Sequence, residues 1–135
     1  MTVTNDANAL GKGLSQSDLK SDPNQPTEEG PVSYPSAADA TTMVHVRTAI
    51  DDLDRQIVSL LGKRMRYIEA AARIKPSRSV VRDQWRVDDV ISKCKATAEK
   101  VDFPPELVER VYAVLVEGSI QHEFKRWDAT REPEP

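Results

Sequence analysis

Apolar residues recur every three or four positions between Thr41 and Lys75, which is the spacing of one face of an α-helix. The recurring residues are Val46, Ile50, Leu53, Ile57, Leu60, Leu61, Ile68 and Ala72. At 1.5 Å per residue this helix would be about 50 Å long. A compact domain of this size has a radius of gyration of only about 12 Å. The apolar face therefore needs a further surface to cover it, and a second subunit is the obvious candidate.

Two shorter helices are predicted after the long one. Pro76 predicts the end of the first helix, because the residue before a proline is driven out of the helical conformation. A basic, polar loop is predicted over 76–83, and a second helix over about 84–100. The third helix is predicted to begin at the prolines 104–105 and to continue to about Trp127, since proline is well tolerated in a first turn. No segment alternates as a strand would, so the pattern predicts an all-α fold with three helices.

The first forty residues differ in composition from the rest of the chain. They are rich in Ser, Thr, Asn, Asp, Pro and Gly. Such a segment cannot bury enough apolar surface to offset the entropy lost on ordering it. We therefore expect a disordered N-terminal arm over 1–40, a helical domain over 41–131 and a short tail over 132–135.

Charge and composition argue against several classes of function. The 19 Lys and Arg residues are interleaved with 22 Asp and Glu, for a net charge of −3, whereas a general nucleic-acid binder needs a basic excess. No apolar run approaches the roughly 20 residues that cross a bilayer, so no membrane partner is expected. Two separated histidines and the single Cys94 form no metal-ligand pattern. A lone cysteine and an N-terminus without an apolar signal region predict a cytoplasmic protein.

Two cations lie on the same face of the long helix. Arg64 and Lys75 are eleven residues apart, almost three whole turns, which places them within about 20° of each other. A cation that faces buried space is costly unless an anion meets it. The alternative is that both side chains reach solvent or pair with acidic neighbours. Arg47 lies about 25 Å from Arg64 along the helix axis, so one small ligand cannot contact all three within one chain.

The stretch VRTAIDDLDRQIVSLLGKRMRYIEAAARIK, residues 46–75, resembles the first helix of the all-helical chorismate mutases. It looks closest to their isochorismate pyruvate lyase branch, which makes salicylate. The shared pattern is R-x-A-I-D-x-[IL]-D, then I-V-x-x-L-G-[KR]-R-M-x-Y, then A-A-x-R-x-K. It continues through Arg86 to the K-x-W that ends at Trp127. The resemblance implies an intertwined homodimer of three-helix protomers that uses no cofactor.

The resemblance also implies which residues bind the substrate, a small dianion of the chorismate type. Arg64 and Arg86 correspond to the arginines that hold its carboxylates. Arg47 corresponds to an arginine donated across the interface by the partner subunit, and Asp83 to the region that folds over the substrate. Arginine suits this task because its planar fork binds carboxylates bidentately.

Lys75 and Glu123 are implied at the ether oxygen of the substrate. Pericyclic reactions need no nucleophile, and they gain from a held reactive conformer and from fixed positive charge where negative charge develops. Glu123 takes the place of a Gln. A carboxyl group donates a hydrogen bond only when it is protonated, so activity is expected to fall as the pH rises past neutrality. Val87 takes the place of a Glu that contacts the ring hydroxyl of chorismate in many mutases. The absence of this Glu favours the lyase reaction. The alternative explanation is that Val87 simply packs in the second helix.

The function predicted from these residues is conversion of isochorismate to salicylate and pyruvate, with accompanying chorismate mutase activity. Three alternatives remain open at the level of sequence. The first is a plain chorismate mutase that forms prephenate, and the second acts on 4-amino-4-deoxychorismate. The third is a non-catalytic helical dimer, which would tolerate the loss of the cations.

Overall fold

The computed structural model describes residues 32–131, and within this range the chain forms three α-helices and no strand. Helix α1 spans Met43–Ile74, α2 spans Gln84–Lys100 and α3 spans Pro105–Thr130. A short 3₁₀ helix, Arg78–Val80, lies in the loop between α1 and α2. The all-α prediction with three helices and one long first helix is confirmed. None of these helices combines the length and the apolar content needed to cross a bilayer, and the cellular location stays a prediction.

Helix α1 begins and ends at residues that its local sequence explains. The Thr42 side chain accepts a hydrogen bond from the N–H of His45 at 3.2 Å and so satisfies one of the free donors of the first turn. At the other end, the N–H of Lys75 still donates to the carbonyl of Ala71 at 2.9 Å. Pro76 has no N–H with which to continue the ladder. The helix is therefore one residue shorter at its C-terminal end than the predicted Lys75.

The turn between α2 and α3 reverses the chain within a few residues. Asp102 has φ 55°, in the left-handed region that ends many helices. The N–H of Phe103 reaches back to the carbonyl of Ala98 at 2.9 Å and closes the end of α2. This tight reversal returns α3 along both other helices, so that α3 packs against α1 and α2.

One chain buries few large side chains. The buried apolar residues are Ala72, Val81, Ala98, Val116, Ile120 and Trp127. The apolar stripe of α1, by contrast, lies open to solvent: Ile50, Leu53, Ile57, Val58, Leu60 and Leu61 are each 37% to 65% exposed. A Cβ added at Gly62, within this stripe, would have nothing within 4 Å. An apolar helix face of this extent is normally covered in a folded protein.

Tyr34, which precedes α1 in the chain, contacts that helix. The hydroxyl of Tyr34 donates to Asp52 at 2.7 Å, and this hydrogen bond raises the pKa of Tyr34 above its ordinary value. The same carboxylate accepts a hydrogen bond from Gln56 at 2.9 Å. Residues 1–31 of the predicted N-terminal arm, and the predicted tail 132–135, lie outside the described residues.

Candidate active site

A cleft of about 380 Å³ lies where the C-terminal half of α1, the loop after it, the start of α2 and the middle of α3 meet. This volume is in the range of small-molecule sites. The cleft contains all of the predicted site residues except Arg47, namely Arg64, Lys75, Asp83, Arg86 and Glu123. Its apolar wall is formed by Ile68, Ala71, Val81, Val87, Val90, Val116 and Ile120. It is thus an apolar pocket with a few convergent charged groups.

Lys75 and Glu123 form an ion pair in the cleft. The Lys75 Nζ lies 2.7 Å from Glu123 Oε1 and also donates to the carbonyl of Val81 at 3.1 Å. Glu123 is only 3% exposed. The contact between Lys75 Nζ and Glu123 Oε1 has the distance of an ion pair but not the geometry of a hydrogen bond. The buried Glu123 Oε1 therefore has no hydrogen-bond partner among the described residues. Buried polar atoms are nearly always hydrogen-bonded, and a bound ligand is one way to satisfy such an atom.

Arg64 is fixed by a residue that the sequence did not indicate. Its Nη1 donates to the hydroxyl of Ser119 at 2.8 Å, while that hydroxyl donates to the carbonyl of Leu115 at 2.7 Å. Ser119 is 2% exposed, so its hydroxyl orients the guanidinium from inside the protein. A single serine in an apolar helix looks like a neutral small residue. The signal in the sequence that could have indicated a role for Ser119 is its position four residues before Glu123, because this spacing places both residues on one helix face.

The start of α2 supplies the remaining charged groups of the cleft. The Asp83 side chain accepts from the N–H of Arg86 at 3.4 Å and so caps this helix. The guanidinium of Arg86 lies at the rim, 2.7 Å from Asp89. This pair is exposed on the arginine side, and such pairs contribute at most about 1 kcal/mol. Arg86 can therefore release Asp89 and bind the carboxylate of a ligand at a small cost in free energy.

The loop between α1 and α2 is attached to α3 by two arginines. Arg82 binds Glu117 bidentately at 2.8 and 2.9 Å, and its hydrogen bond is the main reason why the pKa of Glu117 is lowered to about 2. Arg78 binds Asp128 at 2.9 and 3.3 Å. Val81 lies between the two arginines and is buried, with its carbonyl on the Lys75 ammonium. The attached loop thus helps to place the ammonium.

Arg47 lies outside the cleft, near the N-terminal end of α1, and is exposed. About 25 Å of helix separates it from Arg64. The role predicted for it, in the site of a partner subunit, stays a prediction.

The charges of the cleft suit a small organic dianion. Arg64 and Arg86 offer two guanidinium groups, and the Lys75 ammonium lies beside a buried carboxyl group. Within residues 32–131, no three His, Cys, Asp or Glu side chains come together as metal ligands would. The arrangement can bind two carboxylates and place a positive charge near an atom between them.

The chain is similar to proteins of a known family. Residues 46–124 match the family model of chorismate mutase type II. The chain is also 33% identical, over 93 residues, to the isochorismate pyruvate lyase of Pseudomonas aeruginosa. This similarity covers 69% of the present chain and 92% of that protein.

Proposed function

Since the chain belongs to the chorismate mutase type II family, and is thus an isomerase or lyase of that family, we propose that its main reaction is isochorismate pyruvate lysis. The reaction converts isochorismate to pyruvate and salicylate. The observation that carries the proposal is the similarity to an isochorismate pyruvate lyase across 92% of that protein's length. The apolar Val87 in the cleft wall supports it, because this residue offers no acceptor to the ring hydroxyl of chorismate.

The proposed mechanism uses positioning and charge. Arg64 and Arg86 bind the two carboxylates and hold the enolpyruvyl side chain over the ring. In one concerted step the ether C–O bond breaks and a ring hydrogen moves to the methylene carbon of the side chain, so that pyruvate leaves and the ring becomes aromatic. The Lys75 ammonium stabilises the negative charge that grows on the ether oxygen. No covalent intermediate with the protein is formed.

We propose that the working unit is a homodimer in which Arg47 of each chain reaches the partner's cleft. Two observations support it. The apolar stripe of α1 is exposed in one chain, and antiparallel pairing of two α1 helices would cover it. The same pairing would bring the exposed Arg47 of one chain toward the Arg64 and Lys75 end of the other.

A plain chorismate mutase is the second candidate, favoured by the match to the family model and by the carboxyl group at position 123. Incubation of the purified protein with isochorismate and, separately, with chorismate distinguishes the two. The lyase is expected to release salicylate, detected by its fluorescence, faster than it forms prephenate. Prephenate from chorismate without salicylate from isochorismate would refute the lyase.

Two variants test whether the cleft is the site of either reaction. Lys75→Ala removes the ammonium and is expected to lower turnover of both substrates by about tenfold or more. Lys95→Ala is the matched control: it removes the same charge from α2 outside the cleft, where Lys95 lies 3.2 Å from Glu109. Equal activities of the two variants would show that the reaction takes place elsewhere.

A further inference from the structure

The C-terminal end of α1 leaves a carbonyl group that the helix cannot satisfy. In an α-helix the carbonyl of residue i accepts from the N–H of residue i+4. The carbonyl of Ala72 would need residue 76, which is Pro76 and has no N–H. Ala72 is 0% exposed, so water does not reach this carbonyl either. Buried backbone carbonyls are nearly always paired, and another group has to supply the donor.

The Arg131 side chain supplies that donor. Its Nη2 lies 3.1 Å from the carbonyl oxygens of Ala72 and Lys75 and 3.4 Å from that of Arg73. The guanidinium stacks on the buried ring of Trp127, with its carbon 3.6 Å from the ring centroid. A cation at this end of a helix also faces the negative end of the helix dipole. One guanidinium, held by α3, thus caps the last turn of α1.

We propose that Arg131 is a positioning residue for the reaction, acting through Lys75; this rests on the proposed function. Lys75 directly follows the last residue of α1, and its carbonyl is one of the three that Arg131 binds. The ammonium of Lys75 extends from this backbone to the carbonyl of Val81 and to Glu123. Without the guanidinium, the last carbonyls of α1 turn toward water and the turn frays. The ammonium then loses its fixed distance to the ether oxygen.

The effect is expected in kcat more than in KM. Lys75 acts on charge that develops in the transition state, whereas the arginines that bind the carboxylates stay in place. Arg131→Gln should lower kcat by between about tenfold and a hundredfold, the loss that a displacement of about 1 Å produces. Arg131→Lys retains one cation at the carbonyls and should recover part of kcat. Arg126→Gln is the matched control on α3, because it removes the same charge away from the cleft and should retain the wild-type kcat.

Amide hydrogen exchange tests the capping role without reference to activity. In Arg131→Gln the amides of Ile74 and Lys75 should exchange faster, while those in the middle of α2 should not change. A wild-type kcat in Arg131→Gln, or unchanged exchange at Lys75, would overturn the proposal. If the wild-type protein converted neither isochorismate nor chorismate, the proposed function would fail. The exchange at Lys75 would still show whether Arg131 holds this end of α1.

Discussion

Arg47 lies near the start of α1 and Lys75 directly follows its end, yet in the proposed dimer these two residues of one chain serve different clefts. Helix α1 spans 32 residues, and the 28 positions between the two residues correspond to about 42 Å along the axis. A cleft of about 380 Å³ holds one small molecule. For Arg47 to contact substrate beside Lys75, it therefore has to belong to a second chain. The prediction is that two variants of low activity, Arg47→Ala and Lys75→Ala, recover activity when their chains are mixed.

The size of the recovery follows from twofold symmetry. In a mixed dimer one cleft lacks both residues and the other contains both. Random pairing of equal amounts makes half of the dimers mixed, so about a quarter of all clefts are intact and about a quarter of wild-type activity returns. Each variant alone loses a charged contact that contributes about 1.5–3 kcal/mol. That loss corresponds to a rate about 10 to 150 times lower, so the mixture should be clearly faster than either parent.

The assay unfolds both variants in urea, refolds them together and measures turnover per chain. The control mixes Arg64→Ala with Lys75→Ala. Both of these residues line the cleft of their own chain, so no intact cleft forms in any dimer and the turnover of the mixture should not exceed the mean of the two variants. Circular dichroism checks that the helices have refolded. If the turnover of the Arg47→Ala and Lys75→Ala mixture equals the mean turnover of the two separate variants, Arg47 is not donated across an interface.

Two further predictions concern carboxyl groups on α3. Glu123→Gln should retain or raise kcat at pH 7, because an amide donates a hydrogen bond at every pH, whereas a carboxylate paired with Lys75 only accepts; a kcat at least tenfold lower than that of the wild type would contradict this. Arg82 is the main cause that lowers the pKa of Glu117 from 4.5 to about 2. The ion pair of Glu117 with Arg82 therefore stabilises the fold above about pH 4.5, and this contribution is lost as the pH falls toward 2. In Arg82→Gln the Glu117 titration, followed by NMR, should move back toward 4.5 and the acid sensitivity of folding should decrease. An unchanged Glu117 titration would show that Arg82 is not its cause.

The helices were predictable because local rules decide them. The three-to-four spacing from Val46 to Ala72 and the stop at Pro76 both depend on residues within one turn of each other. The short helix was predicted over 84–100, and α2 spans Gln84–Lys100. Arg64 and Lys75 were placed on one face by the same periodicity, and both line the cleft.

The support around these cations could not be predicted from the sequence. The carbonyl of Val81 contacts the Lys75 ammonium through the backbone, which carries no signature in the residue type. Ser119 meets Arg64 from 55 positions away in the chain, and Arg131 reaches the end of α1 from beyond the predicted end of the third helix. Such contacts depend on how α3 packs against α1, and periodicity along one helix does not contain this information. The ion pair of Lys75 with Glu123 was anticipated only in general terms, as the alternative that the cations pair with acidic neighbours.

The small core of one chain has a thermodynamic consequence. With the α1 stripe uncovered, a chain separated from the proposed dimer would have little to hold it folded, so folding and association would become one equilibrium governed by mass action. Dilution would then produce unfolded chains rather than inactive monomers, and the melting temperature would rise with protein concentration. A substitution at Ile57, far from the cleft, would lower the measured rate in a dilute assay by depleting the folded species. Rates of such variants are comparable only at chain concentrations where the dimer is saturated.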